Sequence, residues 1–233
     1  MRGFRIGSAF GIPINVNWTF LVVLPLFAWA IGSQIGDYVE LLNDVWGASI
    51  PVGLLTDSTE TALALGLVAA LGLFLGVLLH EFGHALVAMR YGYPIASITL
   101  WIFGGLAQLE EMPENWRQEL AIALAGPAVS VALGAVSYVG FVLVPAGDTL
   151  GVAAGKFVLG YLALMNVALA AFNMLPGFPM DGGRVLRALL HRTRPYARAT
   201  EIAAEVGKVF AILLGLFGLF GGGGLFMVAI AFF

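Results

Sequence analysis

The sequence predicts an all-α polytopic membrane protein of about six transmembrane helices, with one short re-entrant β-hairpin between the second and third. Two observations predict this class. Of the 233 residues, 60% are hydrophobic and 11% are charged, and the mean hydropathy is +0.95, whereas soluble domains carry about 25% charged and about 45–50% apolar residues. Apolar runs long enough to cross a membrane also recur along the chain, and they are continuous rather than alternating, which favours helices over a β-barrel.

The predicted spans lie within one domain, residues 1–233, at residues 14–31, 61–89, 120–144, 152–175, 206–220 and 225–233. The last span holds nine residues, which rise about 13.5 Å as a helix, less than half of a hydrocarbon core of roughly 30 Å. Such a short span indicates either a truncated chain or a tail that inserts only halfway, and truncation is favoured.

The positively charged residues predict the orientation of these spans, because cytoplasmic segments are enriched in Lys and Arg. With the N-terminus in the cytoplasm, ten of the eleven Lys and Arg residues fall on or near that side, and only Lys156 does not. The segment between the first two spans contains acidic residues and no basic one, as expected of an external loop. The net charge of -3 gives no indication of nucleic-acid binding.

The re-entrant segment is predicted at residues 95–110. This stretch is too short to cross the membrane as a helix, and it combines β-branched and aromatic residues with Gly104 and Gly105. A hairpin that dips into the membrane and an ordinary interfacial loop fit this pattern equally well. Backbone at membrane depth must be paired or must line a cavity.

The second predicted span contains HEFGH at residues 80–84. His80 and His84 lie one helical turn apart, so both rings can converge on one ion, and Glu81 can act as a general base on water. The alternative is that these polar side chains only pack between helices. Ionisable residues are rare in spans, and a buried carboxylate without a cation is unfavourable. Arg90 then places the group about 15 Å inside the cytoplasmic boundary, and a metal site is favoured.

A third ligand is needed, because catalytic zinc usually has three protein ligands, and the chain has no cysteine. His191 lies in an Arg-rich segment and is expected to be solvated. Asp181 is the better candidate, since Pro176 and Pro179 end the fourth helix just before it, at a compatible depth. The alternative is that Asp181 only caps the following helix, and the nearby HEFGH segment favours the ligand.

Together these segments resemble the site-2 protease family of intramembrane metalloproteases. The resemblance lies in HEFGH, in NMLPGFPMDGGR at residues 173–184 and in the glycine-containing segment between them, and also in GIPINVNW at residues 11–18 and LAGPAVS at residues 124–130. It implies one catalytic zinc ion per chain, bound by His80, His84 and Asp181. It also implies that Glu81 is the base and that Asn173 helps to stabilise the oxyanion.

The family further implies that an unwound substrate adds as a strand along a short segment, composed of Phe103, Gly104, Gly105, Leu106 and Ala107. The expected reaction is hydrolysis of peptide bonds in or near the transmembrane segments of single-span membrane proteins. The expected setting is the lipid of a prokaryotic cell membrane, with the active site toward the cytoplasm. We also expect a C-terminal regulatory domain to be missing from the chain.

Two positions depart from the family pattern. Asn17 stands where many members have histidine, and Ser130 where asparagine is common, but neither is a ligand position. One alternative function is an inactive relative that acts as a binding protein or chaperone, although all four catalytic positions are intact. The other is a transporter with broken helices, although the two halves show no repeat and the histidine pair would have no role.

Overall fold

The architecture comes from a computed structural model, which describes residues 3–101, 104–109, 113, 115–145 and 147–220. In this part of the chain, the strands are β1 (Gly3–Ala9), β2 (Ile12–Asn17), β3 (Ile95–Trp101) and β4 (Gly104–Leu109). The helices are α1 (Trp18–Ser33), α2 (Ile35–Trp46), α3 (Val52–Thr56), α4 (Thr59–Arg90), α5 (Trp116–Leu143), α6 (Leu150–Asn173), α7 (Asp181–His191) and α8 (Tyr196–Phe220).

Among the described residues, four helices are long and apolar enough to cross a membrane, namely α4, α5, α6 and α8. Helices α1 and α2 form a fifth candidate if this pair, bent by 58°, counts as one broken span. Predicted spans two to five each coincide with a helix, although α8 begins ten residues before predicted position 206. The predicted sixth span, residues 225–233, lies outside the described residues.

The start of the first predicted span is wrong, because residues 14–17 belong to strand β2 rather than to a helix. The Asn17 side chain accepts a hydrogen bond from the backbone N–H of Thr19 at 3.0 Å. This contact satisfies one of the free N–H groups at the start of a helix. Asn17 therefore marks the change from strand to helix α1.

The described strands form one four-stranded sheet in the order β1-β2-β3-β4. Strands β3 and β4 pair antiparallel inside the predicted segment, with Ile98 opposite Ala107, whereas β2 and β3 pair parallel. The sequence did not predict β1 and β2, so the all-α class omits a small mixed sheet. Strand β4 lies at one edge of this sheet, and its depth in the membrane stays a prediction.

Helix α4 packs against α1, α5 and α6, and glycines allow its closest approaches. A Cβ atom on Gly66 would lie 2.1 Å from the carbonyl oxygen of Ala28 in α1, and one on Gly83 would lie 2.7 Å from that of Ala125 in α5. Small residues let membrane helices approach so closely. The crossing at Gly83 places the C-terminal half of α4, with HEFGH, directly against α5.

Candidate metal centre

The α-helical spacing of HEFGH directs both histidines of α4 to one side, where they are 2% and 3% exposed at His80 and His84. Between them Gly83 contacts α5, so the histidine face of α4 is also its packing face. Glu81 is only half-buried. The helix therefore buries its two imidazoles while leaving the carboxylate of Glu81 partly accessible.

Asp181 reaches the histidines from a tight turn after α6. The chain leaves α6 at Asn173, passes through two prolines and begins α7 at Asp181. A Cβ atom on Gly182 would lie 2.3 Å from the carbonyl oxygens of Met174 and Leu175. Only glycine permits this contact, which holds the start of α7 against the end of α6.

Three atoms from these side chains form a small triangle. Asp181 Oδ2 lies 3.1 Å from His80 Nε2 and 3.1 Å from His84 Nε2, and the two nitrogens are 3.2 Å apart. Zinc–nitrogen and zinc–oxygen bonds are about 2.0–2.2 Å long, so atoms at these separations can bind one ion. Among the described residues this is the one group of three His, Asp or Glu side chains close enough to hold a metal ion.

Hydrogen bonds on the far side of each ring leave the facing nitrogens available. His84 Nδ1 lies 2.7 Å from the carbonyl oxygen of Ile122, which can only accept, so Nδ1 carries the proton and Nε2 keeps its lone pair. His80 Nδ1 lies 2.8 Å from the Ser130 hydroxyl, which can accept in the same way. Metal-binding histidines are usually oriented by such bonds. The donor set therefore fits a divalent ion.

The charge at the centre comes from Asp181, which lies outside the four candidate spans. Burial alone would raise the pKa of this carboxyl, but the adjacent His80 and His84 lower the pKa to about 2. The carboxylate is therefore ionised at neutral pH. Histidine binds a metal ion as the neutral imidazole. In that form the three side chains would carry one negative charge, which a divalent cation more than balances.

Gly126 of α5 forms the floor of the centre. A Cβ atom there would lie 2.2 Å from His84 Nε2 and 2.6 Å from His80 Nε2. Real Cβ atoms do not approach so closely, so any side chain at this position would occupy the space between the ligand nitrogens. The centre exists because α5 presents backbone alone at residue 126.

Comparison with known proteins agrees with this geometry. The family model of Peptidase family M50 matches residues 68–155 and 143–214, which contain both halves of the centre. The chain belongs to peptidase family M50. The resemblance to site-2 proteases that the sequence indicated is thereby confirmed.

Individual M50 relatives match most of the chain. The protein sll0528 of Synechocystis sp. is 37% identical over 94% of this chain and 53% of its own length. Zinc metalloprotease MJ0392 of Methanocaldococcus jannaschii is 35% identical over 92% of this chain and 53% of its own length. The chain therefore spans about half the length of these curated relatives. The solved Site-2 Protease from Methanocaldococcus jannaschii superposes with a TM-score of 0.63 at 32% identity, and the match covers 99% of this chain and 91% of that one.

The structure brings together the three predicted M50 metal ligands. The predicted oxyanion residue, Asn173, instead forms a hydrogen bond within its own helix. The Asn173 side-chain amide donates to the carbonyl oxygen of Leu169 at 2.9 Å, one turn back along α6. No hydrogen bond joins the Asn173 side chain to His80, His84 or Asp181 among the described residues. His191 lies at the end of α7, where Nδ1 donates to the carbonyl oxygen of Arg194 at 3.0 Å.

Part of the predicted substrate segment lies beside Glu81. The backbone N–H of Ala107 donates to Glu81 Oε2 at 3.1 Å, and a Cβ atom on Gly105 would lie 2.4 Å from Glu81 Cγ. Gly104 begins strand β4. Phe103 and the side chain of Leu106 lie outside what the structure describes. The hairpin and the carboxylate are thus in direct contact.

Sequence reasoning missed the support that α5 gives to the M50 centre. The partner of His84 is the backbone carbonyl of Ile122, which no residue type indicates. The resemblance marks Ser130 only as a departure from the family pattern and not as a partner of His80. Gly126 and Ser130 both lie in the LAGPAVS segment, which was the available signal. Their spacing of four residues on a predicted helix could have placed them on one face toward HEFGH.

Proposed function

We propose that the chain carries the catalytic unit of an intramembrane zinc metalloprotease, which hydrolyses peptide bonds in or near the transmembrane segments of membrane proteins. The observation that carries this proposal is the convergence of His80, His84 and Asp181 beside Glu81, within a set of apolar helices. Membership of family M50 and the zinc metalloprotease relative MJ0392 support it.

In this proposal His80 Nε2, His84 Nε2 and Asp181 Oδ2 hold one zinc ion. When bound there, the ion supplies Lewis acidity, which polarises a carbonyl and makes water a stronger nucleophile at neutral pH. Ile122 and Ser130 keep the rings turned toward this point, because each can accept a hydrogen bond from an Nδ1 atom.

Glu81 is proposed as the proton carrier. It takes a proton from the water whose oxygen attacks the scissile carbonyl carbon, and it gives that proton to the leaving nitrogen as the C–N bond breaks. Glu81 directly follows His80 in α4 and is half-buried. A partly exposed carboxylate next to a ligand is well placed for this role.

The substrate is proposed to be a single-span membrane protein that binds along strand β4. A peptide bond within a transmembrane helix is shielded by the helix's own hydrogen bonding and by lipid, so the substrate must unwind. An edge strand offers main-chain hydrogen bonds to an unwound segment, and β4 is such an edge beside Glu81. The roles of Phe103 and Leu106 in binding, and of Asn173 at the oxyanion, stay predictions.

The proposed location is a prokaryotic cell membrane, with the N-terminus and the active site toward the cytoplasm. The apolar helices identify a membrane protein. The distribution of Lys and Arg supports this orientation.

The first test replaces Asp181 by alanine. We expect the unchanged chain, purified in detergent, to contain one zinc ion, and we expect D181A to bind zinc more weakly because one of three ligands is lost. Zinc content and affinity are measured by elemental analysis and by competition with a chelator. An unchanged chain without zinc, or a D181A variant with unaltered affinity, would contradict the proposed metal site.

A second test replaces Gly105 by alanine. The added Cβ atom would lie 2.4 Å from Glu81 Cγ, so the carboxylate must shift, while the three ligands are untouched. We expect cleavage of a tagged single-span substrate to fall about 10- to 100-fold with zinc binding retained. Gly7→Ala is the matched strand control, because a Cβ atom there meets nothing within 4 Å. Equal activity of the two variants would count against a role for β4 beside Glu81.

A further inference from the structure

One face of α5 contacts both histidines of the metal centre. Gly126 faces both ligand nitrogens, the Ile122 carbonyl holds His84, and Ser130 holds His80. Glu119 lies on the same face, because positions 119, 122, 126 and 130 follow the three- and four-residue spacing of one helical stripe. Glu119 is thus the fourth residue of this stripe, and it contacts α7.

Glu119 forms a buried ion pair with Arg187 of α7. The two residues are 1% and 8% exposed, and Arg187 Nε donates to Glu119 Oε1 at 2.7 Å. Arg187 Nη2 donates to the same oxygen, whereas Glu119 Oε2 has no hydrogen-bond partner among the described residues. Buried ion pairs contribute little net stability, because desolvation offsets the attraction. Their clearest effect is to favour one relative placement of the two elements.

Arg187 also joins the segments on either side of α7. Its guanidinium lies 5.1 Å from the ring centre of Phe178, in the turn before Asp181, and 4.9 Å from that of Tyr196, the first residue of α8. Cations attract the faces of aromatic rings at such distances. One buried side chain therefore holds α5, the turn, α7 and α8 together, six residues from Asp181.

We propose that Glu119 and Arg187 are positioning residues, which set the distance of Asp181 from His80 and His84. Both histidines are anchored to α5 by hydrogen bonds, and this pair anchors the helix that carries the third ligand to the same α5. All three ligands are then fixed to the same helix, α5. The distances between them therefore do not depend on the longer covalent path through α6. This inference rests on the proposed function, since it assumes that the three side chains bind zinc.

The test measures zinc affinity and melting temperature of the full chain in detergent for E119Q, R187M and the double variant E119Q/R187M. We expect zinc affinity to fall about 10- to 100-fold in all three, as for other changes behind metal ligands. Each single change leaves a buried group unpaired and lowers the melting temperature. The double change removes both charges, so its melting temperature should recover toward that of the unchanged chain, while its zinc affinity stays low.

A purely structural pair would behave differently, because zinc affinity would then recover together with stability in the double variant. That result would overturn the inference, and it would leave the proposed zinc site intact if D181A still weakens binding. An unchanged chain that binds no zinc would overturn both. The control is E201Q, which breaks the Arg198–Glu201 pair of α8, whose side chains are 59% and 60% exposed. We expect its zinc affinity to equal that of the unchanged chain, and an equal loss in E201Q would also overturn the inference.

Discussion

Replacement of Glu81 by glutamine is expected to abolish cleavage of a single-span substrate while zinc binding stays intact. Glutamine has nearly the same shape as glutamate, and its carbonyl oxygen can still accept the hydrogen bond from the Ala107 N–H. It cannot take up a proton at neutral pH. Loss of a positioned general base lowers rates by about 10²- to 10⁴-fold, which would put cleavage below detection in a co-expression assay.

The measurement pairs substrate cleavage with zinc content of the same preparations. Glu60→Gln is the matched control, since Glu60 is exposed in the first turn of the same helix α4, and it should cleave normally. Undiminished cleavage by E81Q would exclude Glu81 as the base. Loss of zinc from E81Q would instead show that Glu81 acts on the ligand set.

Replacement of Gly126 by alanine is expected to eliminate zinc binding and, with it, all cleavage. The added methyl group would lie 2.2 Å from His84 Nε2 and 2.6 Å from His80 Nε2, so α5 or both rings must move. Helix propensity acts in the opposite direction, because alanine is favoured over glycine in a helix by about 0.5–1 kcal/mol. A loss of zinc from this substitution therefore cannot come from a weaker helix.

Zinc stoichiometry and the melting temperature of the purified chain test this expectation. Gly140→Ala is the control in the same helix, because the three atoms nearest to its Cβ atom would all belong to Leu159, the nearest at 3.4 Å, an ordinary van der Waals distance. That variant should retain one zinc ion. A G126A protein with full zinc content would contradict the position of α5 at the centre.

The convergence of His80, His84 and Asp181 could be predicted from the sequence because each part has a local signal. The histidine pair lies at helical spacing inside an apolar run, and Asp181 follows a pair of prolines that must end a helix. The sequence predicts both segments at a compatible depth in the membrane, which places them near each other although they lie about a hundred residues apart.

The start of α8 was harder to predict. This helix begins earlier than its apolar run, because residues 196–205 are polar enough to resemble a loop.

Other features arise from tertiary contacts that have no local signal. Strand β2 needs a parallel pairing with β3 across about eighty residues. Strand β1 pairs only with β2 in this sheet and has no buried face that would produce an alternating pattern. Glu119 looks like an ordinary acidic residue in the first turn of a helix, and only the fold shows Arg187 opposite it. The same holds for Asn173, whose amide binds its own helix rather than the metal centre.

The hydrogen bond between Ala107 and Glu81 has a consequence for the order of events. Its donor lies on the outer side of β4, since it is directed to α4 and not to β3. One N–H group cannot serve both the carboxylate and a peptide that pairs with the strand at Ala107. Under the proposed function, arrival of such a peptide would release Glu81, so the carboxylate would stay engaged by Ala107 until a substrate displaces it.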